Sequence, residues 1–585
     1  MTKSALPAEI LGLGVSAGSV IGRVVRVNPP VPVPSDEPGA VDPLAATEAV
    51  GRALESVATD LDRRASLASG DGVAILQATA MMARDPALLK SVEVKLGLGS
   101  GPATALDAAI REFVVMFTAS GGYLAERATD LLDVRDRAVA RLLGLPDPGL
   151  PPLNAPAIIV ARDLAPSDTA ILNSALALAL VTEAGGPTSH TAILAAQLGI
   201  PAIVHAIGVL QIEPGTEIAI DGTSGLVVIA PDATFRAQFQ ARARRREVLM
   251  RQGGGPGRLA DGSTVSLYVN VGTVADAEHA GASDVEGVGL FRTEFMFLDR
   301  STAPTFDEQV LSYSAVFEAF GSRPVTVRTL DAGADKPLLF AAQGKEANPA
   351  LGVRGIRLLQ HRPDLLQTQL KAIAVAVETT GARARVMAPM VATSEEAAWF
   401  ADLARTVGLT TVGVMIEVPS AALRARHVLA PVDFASIGTN DLTQYVMAAD
   451  RMSGGLAALL NPWQPAVLDL IAATTAAAAA QPVESSSAAG PDTLPGVGGT
   501  SKPVGVCGEA AGDPLYALVL VGLHISSLSM ALPKIPAVRL ALSLHDRGTC
   551  VAMAEAARVS TTAADAHKAA QRLAHPALRS LLAKP

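Results

Sequence analysis

Val412-Gly-Val-Met-Ile-Glu417-Val-Pro419 is a short apolar run that ends in a carboxylate and is stopped by a proline. It is too short for a helix and reads as a buried strand. Phe434-Ala-Ser-Ile-Gly-Thr-Asn440-Asp441 repeats the form. Working outward, eight such runs follow Gly262, at 265–271, 287–291, 325–329, 385–390, 412–417, 434–438, 504–507 and 525–530. Apolar residues at helical spacing fill most of the intervals, including 307–320, 364–378, 394–404 and 466–480. Eight strands alternating with helices predict a C-terminal (β/α)8 TIM-type barrel over 262–585. Pro389 suits the end of its run rather than the middle of a sheet.

Barrels of this kind place their chemistry at the C-terminal ends of the strands. There the sequence is polar. The second run ends in Arg292-Thr-Glu294 and the third in Arg328-Thr-Leu-Asp331, and Asn348-Pro-Ala-Leu-Gly-Val-Arg354 adds a third cation. The guanidinium forks of Arg292, Arg328 and Arg354 match carboxylate and phosphate oxygens. Glu417 and Asp441, ending neighbouring strands, suit Mg²⁺, which commonly takes one or two protein carboxylates. They could equally pair with the arginines. Cys507, in Val504-Gly-Val-Cys507-Gly-Glu509, has the chemistry of a proton donor or a nucleophile, and that of a packing residue.

The first half of the chain is organised differently. Residues 12–27 alternate like a strand and a proline-rich link covers 28–43. Helical spacing then dominates at 48–67, 74–84, 86–96, 103–118 and 125–143, predicting a bundle over 44–145. Strand-like segments return at 157–160, 176–182, 202–204, 217–220 and 226–229. The expected layout is an α/β domain built from 1–43 and 146–235 with the helical bundle inserted, and an arginine-rich linker helix over 236–261. Residues 472–503 begin as the tail of a barrel helix and continue as a low-complexity insertion of Ala, Ser, Gly and Pro.

Within the α/β domain lies Gly185-Gly186-Pro187-Thr188-Ser189-His190-Thr191-Ala192, which places a histidine at the start of a helix that Gly199-Ile200-Pro201 ends. Free N–H groups there favour an anion, so a phosphoryl group on His190 would be held by dipole and donors. The same field keeps the attacking imidazole neutral.

At 585 residues the chain is long enough for about three domains. Its formal net charge of −9 and aromatic content of 3% exclude a nucleic-acid surface, which needs basic stripes and stacking rings. Two cysteines, Cys507 and Cys550, cannot form a disulfide framework and point to a reducing, cytoplasmic setting. The uncharged stretch 191–212 is as long as a membrane span, but Gln197, Gly199, Pro201 and His205 interrupt it, so no membrane insertion is expected.

Three segments, the Gly-Gly-x-Thr-Ser-His-Thr motif around His190, Asp433-Phe-Ala-Ser-Ile-Gly-Thr-Asn-Asp-Leu-Thr-Gln-Tyr through Asp450-Arg451, and Val506-Cys507-Gly-Glu-Ala-Ala-Gly-Asp513, occur in one order. The chain resembles phosphoenolpyruvate-protein phosphotransferase, the Enzyme I of bacterial sugar phosphotransferase systems, over nearly its whole length. The resemblance implies His190 as the phosphorylated residue, and Arg292, Arg328, Asn440, Asp441 and Arg451 as ligands of phosphoenolpyruvate. It also implies Glu417 and Asp441 as ligands of Mg²⁺ and Cys507 as the acid that protonates the enolpyruvate carbon. The acceptor it implies is the phosphocarrier protein HPr, docked on the helical bundle near Met81, Asp85 and Arg127, and the assembly a homodimer through the barrel. The family often has Arg where this chain has Pro187 and Arg or Gly where it has Ala196, which removes one or two cations near His190. Two other functions are weighed. An ATP-linked relative such as phosphoenolpyruvate synthase or pyruvate phosphate dikinase would need a nucleotide domain, and no P-loop glycine pattern is present. A regulatory phosphoprotein would have no use for Glu417, Asp441 and Cys507 together.

Overall fold

The computed structural model describes residues 9–582 except 17, 67–70, 121, 165–167, 169–171, 174, 186–189, 252–253, 299, 301, 333–337, 342–345, 347, 452–455, 457 and 482–500. The chain forms two compact units, residues 1–245 with the last two residues, and residues 246–583.

In the first unit a strand β1 (Glu9–Leu11) precedes the run at 12–27, and the run itself is two strands rather than one, β2 (Leu13–Ser16) and β3 (Ser19–Arg26). Glycines make the breaks. A Cβ on Gly12 would lie 2.6 Å from the Ile203 side chain and 2.7 Å from the Val204 carbonyl, and Gly18 has φ +136°. With β4 (Ala157–Ala161), β5 (Ala177–Thr182), β6 (Ala202–Val204), β7 (Glu217–Asp221) and β8 (Leu226–Ile229) they form one sheet in the order β1-β8-β7-β3-β4-β5-β6-β2. Leu11 and Leu13 thus sit on opposite edges, and the chain joins those edges through Gly12. β3 to β6 are parallel, and the helix His190–Leu198 connects β5 to β6.

Between β3 and β4 the chain makes the helices α1 (Pro43–Ala65), α2 (Asp71–Ala83), α3 (Pro86–Gly97), α4 (Pro102–Ser120) and α5 (Gly122–Leu142). Asp42 and Asp85 cap α1 and α3, each followed by proline at the first turn. Leu54, Leu61, Leu96 and Leu106 are among the side chains buried between these helices. A buried ion pair ties the bundle to the sheet: Arg137 of α5 reaches Asp133 at 3.0 Å and Asp168 at 3.1 Å. Gly149, at φ +93°, leaves room for it, since a Cβ there would lie 2.7 Å from Asp168 Oδ1.

The helix Ala233–Arg251 carries the arginine-rich segment. The second unit is a closed barrel of β9 (Ser266–Val271), β10 (Val288–Arg292), β11 (Val325–Arg328), β12 (Ala384–Ala388), β13 (Val412–Ile416), β14 (Phe434–Ile437), β15 (Val504–Val506) and β16 (Ser527–Met530). Each pairs in parallel with the next and β16 returns to β9. The fold is thus multidomain α/β, ending in the eight-stranded barrel that the spacing predicts. Capping boxes at Thr273, Thr305 and Thr393 start the helices that follow three of the strands. Ala473 to Ala479 closes the helix Pro465–Ala479, while 482–500 of the low-complexity stretch lie outside the described residues. The helices Arg547–Arg558, Ala563–Leu573 and Pro576–Leu582 follow the last strand. Among the described residues no helix is long and apolar enough to cross a membrane. The stretch 191–212 is divided among a helix, β6 and a 3-10 turn.

Candidate active site

The barrel mouth gathers the polar strand ends into a chain of alternating charge. Arg328, the last residue of β11, is buried and donates to Glu294 Oε1 at 2.7 Å, and its other nitrogen lies 3.1 Å from Asp331. Asp331 also accepts from Arg354 Nη2 at 3.1 Å. Arg354 Nη1 donates to Asp441 Oδ1 at 3.0 Å, and Arg451 lies 3.7 Å from the other oxygen of Asp441. Burial alone would make the arginines easier to deprotonate, but Glu294 and Asp331 around Arg328, and Asp331 and Asp441 around Arg354, outweigh it and fix both as cations. Burial disfavours the Asp331 anion too. Arg328 and Arg354 overcome this and hold its carboxyl below the usual range.

Glu417 follows β13 directly and is buried; its Oε1 accepts the Met390 N–H at 2.6 Å. Burial, then the charges of Asp441 and Asp331, push its carboxyl well above the ordinary range, with Arg328 and Arg354 opposing. Asp441 lies in the first turn of the helix Thr439–Val446, which follows β14, and Asn440 beside it is exposed. Cys507 follows β15 and is buried, with Sγ 3.8 Å from the Ile437 carbonyl. Burial pushes its thiol up to about 11, so it is protonated at neutral pH despite Ser436, Arg328 and Arg292. Asn270, at the end of β9, donates to the Cys507 carbonyl at 3.1 Å and accepts from Ser529 of β16 at 2.6 Å.

The sequence-predicted barrel residues Arg292, Arg328, Arg354, Glu417, Asn440, Asp441, Arg451 and Cys507 thus all follow or end strands at one face. The structure adds Asp331 and Glu294, each of which pairs with an arginine more than twenty residues away, and Asn270 and Gln444, the latter accepting the Arg451 N–H at 3.0 Å. A carboxylate close behind a strand-end arginine was the available signal for the first two.

Arg292, Arg328, Arg354 and Arg451 face the carboxylates Glu294, Asp331 and Asp441, while Glu417 holds its proton in the metal-free chain, so the single surplus positive charge falls short of a polyanion, which needs a further cation. Buried Glu294 Oε2, Arg328 Nε, Arg354 Nε and Thr439 Oγ1 have no hydrogen-bond partner, leaving donors and acceptors to spare. The residues therefore fit a divalent cation between Glu417 and Asp441. Among the described residues no three acidic, His or Cys side chains gather as a self-sufficient metal cage, so such an ion would complete its shell with substrate and water oxygens.

In the other unit His190 is the first residue of its helix, at the C-terminal end of the parallel strands β5 and β6. Pro187 lies outside the described residues, as do the side chains of His190 and Ala196. Met81 is exposed near the end of α2, Asp85 accepts from the Ala87 N–H at 2.8 Å as the cap of α3, and Arg127 lies 2.8 Å from Asp130.

Three family models match the chain: "PEP-utilising enzyme, N-terminal" over 11–127, "PEP-utilising enzyme, mobile domain" over 153–225, and "PEP-utilising enzyme, PEP-binding domain" over 247–547. A phosphoenolpyruvate-protein phosphotransferase of Streptomyces coelicolor is 46% identical over 97% of this chain and 99% of its own length. The chain belongs to the phosphoenolpyruvate-protein phosphotransferase family. Another phosphoenolpyruvate-protein phosphotransferase, of Bacillus subtilis, is 35% identical over 92% of this chain and 94% of its own. A multiphosphoryl transfer protein of Xanthomonas campestris is 39% identical over 91% of this chain and 63% of its own. As a phosphoenolpyruvate-protein phosphotransferase, the chain is an enzyme of phosphoryl transfer from phosphoenolpyruvate.

Proposed function

We propose that the chain takes the phosphoryl group of phosphoenolpyruvate onto His190 and passes it to a histidine of HPr, releasing pyruvate in the first step of sugar uptake. The observation that carries this reading is the buried, still protonated Cys507 set beside the alternating arginines and carboxylates of the barrel mouth.

Arg292 and Arg328, with Arg354 behind them, would neutralise the phosphate and carboxylate of the substrate, and Asn440 and Arg451 would fix its orientation. Glu417 and Asp441 would hold Mg²⁺, whose charge, when bound, offsets that on the transferring group. As the P–O bond breaks and a P–N bond forms at His190, the enolpyruvate carbon takes the Cys507 proton and becomes the methyl group of pyruvate. Water then returns a proton to the thiolate. The protonation makes phosphoryl loss effectively downhill, and His190 needs only a neutral imidazole, which a helix N-terminus favours.

The layout proposed is an α/β domain of 1–43 and 146–235 carrying His190, a bundle of 44–145 that docks HPr near Met81, Asp85 and Arg127, a linker over 236–261, and the barrel of 262–585. Transfer then requires the His190 unit to meet the barrel mouth for loading and HPr for unloading. A homodimer through the barrel and a cytoplasmic setting complete the reading. The full-length likeness to the Streptomyces coelicolor protein favours it over an ATP-linked relative.

The test is labelling of the purified chain by phosphoenolpyruvate radioactive in phosphate, with Mg²⁺, before and after adding purified HPr. Acid-labile label that moves to HPr and is absent from His190→Ala is expected. Label taken from ATP but not from phosphoenolpyruvate would overturn the reading.

A further inference from the structure

Two residues at the barrel mouth have backbones that side chains disfavour, and they touch. Gly355 has φ +55° and ψ −130°, a region essentially restricted to glycine. Met390, just past β12, has φ +59°, where a bulky residue is a genuine outlier. A Cβ on Gly355 would lie 2.8 Å from Met390 Cβ, 2.9 Å from Met390 Cγ and 3.3 Å from Asp331 Oδ1. Such distances force a neighbour to move, and the nearest one is a β-carbon fixed to the backbone.

What the strained turn at Met390 achieves is visible in its N–H. β12 ends at Ala388, so the Met390 N–H is free of the ladder and points 2.6 Å to Glu417 Oε1. On the other side, Gly355 directly follows Arg354, and the same corner is tied by Gly355 N–H to the Ala332 carbonyl at 3.4 Å and by Ile356 N–H to the Pro389 carbonyl at 3.3 Å. Asp331, which the missing Cβ also accommodates, is the carboxylate that holds Arg328 and Arg354 together. Loops after β11 and β12 therefore meet at one contact, with an arginine on one side and a carboxylate on the other. Met390 is buried, and glycine at 390 would keep the N–H while releasing the strain. Its side chain is the wall against which Gly355 packs.

We infer that Gly355 is a positioning residue: by packing without a side chain against Met390, it sets the spacing between Arg354 and Glu417 across the mouth. The inference rests on the role given to those two residues above.

The experiment compares full-length native chain, Gly355→Ala, Met390→Gly and the double variant by pyruvate release from phosphoenolpyruvate and by Mn²⁺ binding, read from the electron paramagnetic resonance of free Mn²⁺. In Gly355→Ala, KM for phosphoenolpyruvate and the Mn²⁺ dissociation constant should each rise at least fivefold. Adding Met390→Gly, which removes the two nearest of the three atoms a new Cβ would meet, should bring both at least halfway back toward native, the strain of a side chain at φ +55° remaining. A folding defect alone lowers the amount of competent enzyme, which reduces apparent kcat and leaves KM unchanged. A Gly355→Ala chain with native KM and Mn²⁺ affinity overturns the inference, as does a double variant no better than the single one. A native chain that neither binds nor turns over phosphoenolpyruvate sinks the functional reading, and this inference with it, before any variant is compared.

Discussion

Arg354 and Asp441 face each other at 3.0 Å between Nη1 and Oδ1, joining the loop after β11 to the helix after β14. The pair is almost fully buried and shares its arginine with Asp331. Removing one partner of such a network leaves uncompensated charge, whereas the intact network need not add stability. Arg354→Met should destabilise the barrel by about 3 kcal/mol. Both tryptophans, Trp399 and Trp463, lie in the barrel unit, so their fluorescence during urea unfolding reports on that unit alone. Arg354→Lys should recover less than half of the loss, because one ammonium cannot serve two carboxylates as a fork does. Native-like stability in Arg354→Met would show that the pair is incidental.

Glu417 is expected to trade stability for function. Its carboxyl is raised by burial and by Asp441 and Asp331, so the metal-free folded chain holds this proton where the unfolded chain has lost it. The associated stability is present at low pH and falls away as pH rises from the ordinary glutamate range toward the raised value. Glu417→Gln keeps an acceptor for the Met390 N–H and removes the charge. In EDTA at pH 8 its thermal midpoint should equal or exceed that of the native chain, while turnover falls about a hundredfold or more. A variant that is both less stable and fully active would contradict both halves.

Cys507 should be chemically quiet. With its thiol near 11, alkylation by iodoacetamide at pH 7.5 should be far slower than that of a free thiol and should climb steeply above pH 10. Cys550, pushed to about 12 by burial, is equally protected and is subtracted with a Cys507→Ala variant. That variant should release pyruvate at least tenfold more slowly and bind phosphoenolpyruvate within threefold of native. Rapid alkylation at neutral pH would remove the proton-donor role.

His545 sets an acid limit on the C-terminal helices. One ring nitrogen faces the Ala541 carbonyl at 2.7 Å and the other accepts the His575 N–H at 2.8 Å, which fixes a neutral tautomer. Burial lowers its pKa and His575 adds to this, with the Ala541 carbonyl and Asp546 opposing. For a histidine so depressed, stability is complete above the unfolded value and declines as pH falls through about 6.5 toward the folded one. The thermal midpoint should therefore drop between pH 7.5 and 5.5 more in the native chain than in His545→Leu. Parallel pH profiles would clear His545 of any part.

Much of this site can be read along the chain. Arg292, Arg328, Glu417, Asp441 and Cys507 each close an apolar run, and a parallel barrel sends all such ends to one face. The misses have a common cause. Nothing near Asp331 in sequence says that it will bridge Arg328 and Arg354, because Arg354 lies 23 residues further along the same connection and only the folded loop brings it back. Residues 12–27 read as one strand because alternation is local, while the break at Gly18 answers to the close approach of Pro201, and that at Gly12, before the run, to Ile203 and Val204. The helix Pro514–Gly522 hid for the opposite reason: it is buried all round and so carries no polar stripe.

By itself the sequence determined most of the elements, their order and the chemical character of each strand end, since backbone periodicity makes burial visible as spacing. Only the tertiary structure decided which arginine meets which carboxylate, how Met390 turns its N–H onto Glu417, and why position 355 has no room for a side chain. Those outcomes depend on barrel closure, which brings distant loops to within 3 Å of each other in a buried setting where each charge is costly without its partner.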